Sequence, residues 1–154
     1  MDIVIQVTGG DELAAKCNDP ALFGEPLRDF FGQVTTSIQN DVRVLTPVDT
    51  GRLRASIIST VDPSPMPMFG EVGTNVVYGP YVEYGTVPHY PPLAALAVWA
   101  RRHGMSPRAL QRKIGLYGTR GRFMFQTAVE NATGYLEASV KDLAEAIEER
   151  WGAK

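Results

Sequence analysis

The spacing of hydrophobic and polar positions changes period several times along this chain, and each change marks an element. Ile3, Ile5 and Val7 alternate with polar positions over residues 2–8, which predicts a first strand ended by Gly9-Gly10. Asp11 offers an N-cap for a short helix reaching about Cys17. After a loop containing Pro20 and Gly24, Pro26 suits a first helical position, and Leu27, Phe30, Phe31, Val34, Ile38, Val42 and Leu45 recur at steps of three and four. This predicts an amphipathic helix over residues 26–45 that stops before Pro47. The period then falls to two. Leu53, Ala55, Ile57, Ser59 and Val61 share one face, with Arg52, Arg54, Ser56, Ile58 and Thr60 on the other, the pattern of a half-buried strand. Asp62-Pro63-Ser64-Pro65-Met66-Pro67 cannot continue it, because three prolines remove ladder donors. The chain is therefore expected to loop out before residues 69–74 pair back, giving a hairpin with a long exposed tip.

Further on the helical period returns. Leu93, Leu96, Ala97 and Ala100 follow Pro91-Pro92 on one side of a helix over residues 93–102, which Gly104 ends. Ser106-Pro107 reads as a cap followed by an N1 proline, so residues 108–116 form another short helix. Residues 118–121 read as a flexible glycine-flanked break carrying Arg120. A last helical region begins at Phe123-Met124-Phe125, with a kink expected at Thr133-Gly134. Beyond it Leu136, Val140, Leu143, Ala144, Ile147 and Trp151 form an apolar stripe against an acidic back. The economical arrangement is an α+β fold: a small antiparallel β-sheet with a long hairpin, packed by the helix of the N-terminal half and by the C-terminal amphipathic helix.

At 154 residues with 44% hydrophobic and 21% charged positions, the composition suits one globular domain. No apolar run approaches the roughly 20 residues needed to span a bilayer, and Met1-Asp2-Ile3 lacks the basic flank of a signal peptide. Synthesis in a cytoplasm and no membrane partner are the expectations. Cys17 is the single cysteine, which excludes an internal disulfide and suggests a small buried apolar residue. The net charge of −2 conceals a strong polarity. Between Glu83 and Glu130 there is no acidic residue, while Arg101, Arg102, Arg108, Arg112, Lys113, Arg120 and Arg122 lie there. Such a segment suits charge-complementary contact between subunits or a basic face toward nucleic acid.

Candidate chemistry is sparse. Pro47-Val48-Asp49-Thr50-Gly51 reads as a turn, since proline fixes φ, Asp49 and Thr50 can bond nearby backbone N–H groups, and Gly51 accepts positive φ. Asp-Thr-Gly is also the turn that carries the catalytic carboxylate of aspartic proteases, and a dimer could supply the second one. The protease triplet sits among apolar residues, whereas Arg52 and Arg54 follow here at once, so Asp49, Thr50 and Gly51 are read as structural turn formers. His89 and His103 have no carboxylate or cysteine at ligand spacing and no adjacent nucleophile, so neither a metal, a cofactor nor a catalytic triad is expected. Tyr78, Tyr81 and Tyr84, with Glu83 among them, fall within seven residues. They supply flat surface with polar tips, equally suited to an interface and to covering the open end of a core. For the basic segment two readings stand: contact with DNA phosphates, or docking on the acidic C-terminal helix of a neighbouring subunit. The second is favoured by the matching opposite charge within one chain, and Arg120 and Arg122 are the residues expected to reach out of their own subunit.

Three blocks carry a resemblance. Thr46-Pro-x-Asp-Thr-Gly-x-Leu-x-x-Ser-Ile57, then Val72-Gly-Thr-Asn75, then Tyr78-x-Pro80-Tyr81-Val-Glu83-Tyr-Gly85-Thr86 resemble the pattern of the small neck or tail-completion proteins of long-tailed bacteriophages. The order and spacing of all three agree. The likeness extends to Arg120-Gly-Arg122-Phe-Met124 and the closing helix, with residues 93–119 as a helical insertion that only some members carry. The resemblance implies a non-enzymatic virion protein that completes the tail and joins it to the head. It further implies a homo-oligomeric ring, a hexamer to match tail symmetry, in contact with neck, tail-terminator or tail-tube proteins and with the genome passing through its channel. On that reading Tyr78, Tyr81, Glu83, Tyr84, Arg120 and Arg122 are interface residues.

Overall fold

The computed structural model describes residues 19–62 and 68–152. The strand expected at residues 2–8, the short helix to Cys17 and the prolines at the hairpin tip lie outside the described residues. Within them the order is helix α1 (Pro20–Leu45), helical turn α2 (Arg52–Ala55), strands β1 (Ile57–Val61) and β2 (Gly70–Thr74), and helix α3 (Gly79–Tyr84). Strand β3 (Gly85–Thr86), helices α4 (Leu93–Arg102) and α5 (Pro107–Tyr117), strand β4 (Thr119–Arg120) and helix α6 (Met124–Gly152) follow. The class is mixed helix and sheet, as expected, with β1 paired to β2 and β3 to β4 in two small sheets.

Helix α1 begins earlier than the apolar stripe suggested. Pro20 takes the first helical position expected at Pro26, and the Asp19 carbonyl accepts from Leu22 N–H at 3.1 Å. Pro26 therefore lies inside the helix, where its ring leaves the Leu22 carbonyl without its usual i+4 donor. The strand expected from Leu53 starts only at Ile57. Gly51, at φ 79° and ψ −7°, turns the chain left-handed, and its carbonyl accepts from Ala55 N–H at 2.9 Å. One helical turn is closed before the extended run begins. From Ile57 the alternation holds, with Ile57 buried, Ile58 exposed and Ser59 between.

Residues 20–37, 59–62, 68–71 and 132–152 belong to one compact unit and residues 38–58 and 72–131 to another. In the first, Leu22, Val34, Met68 and Ala132 are buried, Phe30 and Phe31 meet edge to face at 5.3 Å between ring centroids, and Arg150 bonds the Glu25 carboxylate at 2.9 Å. The second unit has its own core of Val42, Leu53, Ile57, Val76, Met124 and Ala128, with Ile38, Val72, Val82 and Phe125 packed on it. Polar contacts fix its layers. The Ile57 carbonyl accepts from Gln39 Nε2 at 2.8 Å and from Arg43 Nη2 at 2.7 Å, tying the end of α1 to the start of β1. The buried Thr46 hydroxyl donates to the Val42 carbonyl at 2.6 Å, satisfying a group that burial would otherwise leave costly.

Two further corrections concern the second half. The glycine-flanked segment at 118–121 is not a flexible break: Thr119 and Arg120 form β4, antiparallel to β3, with Gly85 opposite Arg120 and Thr86 opposite Thr119. Helix α6 runs through Thr133-Gly134 without interruption.

Candidate interaction site

The second unit carries a broad concavity of about 950 Å³ whose walls include Tyr81, Val82, Leu96, Trp99, Ile114 and Arg122. Its construction follows from the local sequence. Pro80 sits in the first turn of α3, and Gly85 ends that helix at φ 79° and ψ −169°, a conformation open to glycine alone. A side chain at Gly85 would collide with the Thr119 carbonyl oxygen, so the glycine allows β3 and β4 to approach and bring Arg120 beside the tyrosine helix. The Thr86 and Thr119 hydroxyls join across this pair at 3.0 Å. From the other side α4 and α5 are fastened by Gln111 Nε2 donating to the Pro91 carbonyl at 2.8 Å. Ile114 and Ala100 are buried and anchor these helices.

A second, smaller concavity of about 690 Å³ shares Pro47, Tyr78, Val82, Trp99 and Arg122 with the first and reaches the Asp49-Thr50-Gly51 turn. Asp49 accepts from Arg102 at 2.8 Å and lies 3.5 Å from His103 Nε2, so the turn is tied to the end of α4. His103 in turn stacks on Trp99 with ring centroids 4.1 Å apart. An aspartic protease needs a second carboxylate sharing a proton with the first. The groups against Asp49 are a guanidinium and an imidazole. Among the described residues no cluster of three or more His, Cys, Asp or Glu side chains is placed to hold a metal, and no helix is long and apolar enough to cross a membrane.

The residues singled out from the sequence divide. Tyr78, Tyr81, Arg120 and Arg122 line the large concavity together. Tyr84 stands 72% exposed on α3 beside them in sequence. Glu83 turns inward instead. It is only 4% exposed, and its two carboxylate oxygens accept from Phe125 N–H and Gln126 N–H, each at 3.1 Å. Its backbone carbonyl accepts from Phe123 N–H at 3.0 Å. A carboxylate at the start of a 29-residue helix satisfies free N–H donors and complements the positive end of the helix dipole. Phe123 just before it takes φ 49°, a left-handed backbone that this set of bonds holds in place.

Sequence reasoning missed Leu96, Ile114 and His89 as walls of the groove. Leu96 was visible only as part of a helical stripe, and a periodic pattern does not tell a core contact from the lining of an open concavity. Val87 in this lining is exposed, and so are Val77, Tyr90 and Tyr117, each next in sequence to or within three residues of a lining residue. The arrangement offers a wide, largely apolar surface edged by cations.

Residues 27–85 match the model of a family described as "Bacteriophage HK97-gp10, putative tail-component". The matched stretch runs from within α1 through the hairpin and α3 to Gly85, and so covers all three blocks on which the resemblance to tail-completion proteins rested, save the final Thr86. That resemblance, to a family of tailed-phage components, is borne out. No curated protein and no solved structure matches the chain.

Proposed function

From the match of residues 27–85 to a phage tail-component family, we propose that this chain is a structural protein of the phage neck or tail end, completing the tail and joining it to the head. It acts as part of a homo-oligomeric ring, a hexamer in keeping with tail symmetry, around the channel through which the genome passes. It makes and breaks no covalent bond. Its partners are copies of itself and the adjoining neck, terminator or tube proteins.

The tail role rests on that match, and what supports assembly is the apolar surface at and beside the large groove. Tyr81, Tyr84, Val87 and Tyr90 lie within ten residues and are at least 60% exposed. Aromatic and aliphatic groups left in water at this density mark a surface that another protein covers. Contacts repeated around a closed ring offset the ordering cost that a single weak contact could not.

The test is assembly. Light scattering and negative-stain microscopy of the purified chain over a range of concentrations should find closed rings, and phage lacking the protein should accumulate heads and tails that do not join. A chain that stays monomeric at every concentration, alone and with tail-tube or connector proteins, would overturn the proposal.

A further inference from the structure

We infer that the apolar groove bordered by Arg120 and Arg122 receives the exposed acidic ridge of helix α6 from a second copy of this chain. The inference rests on the ring reading above and names the contact that would build the ring. Three observations meet in it. Charge is segregated along the chain: residues 84–129 contain seven bases and no acid, while six acids and two bases follow from Glu130 to Arg150. Arg120 and Arg122 are exposed and line the groove, and neither forms an ion pair among the described residues. On α6, Glu137, Val140, Ala144 and Glu148 are all exposed and recur at steps of three and four, which aligns them on one face.

That face has the composition the groove calls for. Val140 is 53% exposed and, with Ala144, forms a small apolar ridge suited to a surface of tyrosine, tryptophan, leucine and isoleucine. Glu137 and Glu148 bracket the ridge and have no ion pair among the described residues. They lie about 16 Å apart along the helix at 1.5 Å per residue. An amphipathic helix laid into an apolar groove with opposite charge at its edges is a recurrent way for proteins to recognise helices. Where the groove and the ridge of one copy engage two different neighbours, the contact is heterologous. Copies joined this way propagate in one direction, and they close into a ring when the rotation per copy allows.

Reciprocal charge reversal tests it in the full-length chain. One variant carries Arg120→Glu and Arg122→Glu; the other carries Glu137→Lys and Glu148→Lys. All four positions are exposed, so both variants should unfold near the wild-type temperature. Each variant alone should lose at least tenfold in self-association by light scattering, since its groove and ridge now share a sign. An equimolar mixture should regain assembly, because each groove then meets a ridge of opposite charge. If wild-type rings form and both variants still form them, or if two folded variants fail to rescue one another, this contact is wrong and the ring reading stands. If the wild type never assembles, the ring reading falls and the contact with it. Should the arginine reversal abolish salt-sensitive binding to duplex DNA and leave assembly intact, the basic rim faces nucleic acid and the inference is overturned. Where a reversal prevents folding, Arg122→Gln and Val140→Ser serve instead: each should weaken assembly about threefold, and unchanged assembly in both refutes the contact.

Discussion

Glu83 shows how much one side chain can hold in this molecule. Its carboxylate accepts two N–H groups at the start of α6 while its backbone carbonyl takes a third from Phe123. Glu83→Gln keeps the shape but turns an amide NH2 toward one of the N–H donors, and should cost about 1–2 kcal/mol in urea unfolding. Glu83→Ala leaves both donors unsatisfied and should cost about 2–3 kcal/mol. If Glu83→Ala unfolds at the wild-type denaturant midpoint, the helix start does not depend on it. Two glycines with the same φ make a sharper comparison. A Cβ at Gly51 would meet open space, so Gly51→Ala should cost only the left-handed strain, about 1 kcal/mol. At Gly85 the ψ of −169° and the Thr119 carbonyl both oppose a side chain, so Gly85→Ala should cost about 3 kcal/mol or more. Equal losses in the two variants would show that the β3–β4 approach does not constrain the chain.

At the level of elements, the uninterrupted course of α6 has a consequence of its own. Gly134 lies mid-helix, exposed, with nothing near its absent side chain. Glycine there costs conformational entropy without any steric benefit. Gly134→Ala should therefore stabilise the protein by about 0.5–1 kcal/mol and raise the melting temperature by about 1–4 °C. A fall in melting temperature would mean that the helix bends at this point in solution. The small β3–β4 pair has the opposite character. Two residues on each strand form too short a ladder to be stable alone. It persists because α3 and α5 deliver its strands from either side, Gly85 capping the first helix and Gly118 the second.

Across the whole molecule, fold stability and assembly should separate. Tyr84 is exposed and lies on α3 next to the groove-lining Tyr81. Tyr84→Ser should leave unfolding within about 0.5 kcal/mol of wild type, as for most surface substitutions, yet weaken self-association about tenfold if aromatic anchors carry the contact. Thermal unfolding and light scattering on one preparation read both quantities. A Tyr84→Ser chain that assembles like the wild type would move the contact away from α3. The long-range charge pattern makes a related demand: assembly driven by arginine against glutamate should weaken as salt rises, since exposed pairs are screened within about 10 Å at 0.1 M ionic strength.

The sequence by itself determined the elements whose signals are local. The stripe from Leu27 to Leu45 set the long helix, the alternation from Ile57 to Val61 set the strand, and Pro91-Pro92 and Ser106-Pro107 set the starts of α4 and α5, because period and capping act over a few residues. Three spaced blocks were enough for the likeness to phage tail components that the match over residues 27–85 bears out, since turn chemistry fixes residue identities in order along the chain. Tertiary structure alone decided what those residues meet. Pairing of Thr86 with Thr119, capping of α6 by Glu83 and the tie between Asp49 and Arg102 each join residues more than thirty positions apart. No local period encodes such contacts, because they depend on which backbones can approach, and that is settled by packing and by the glycines that leave room for it.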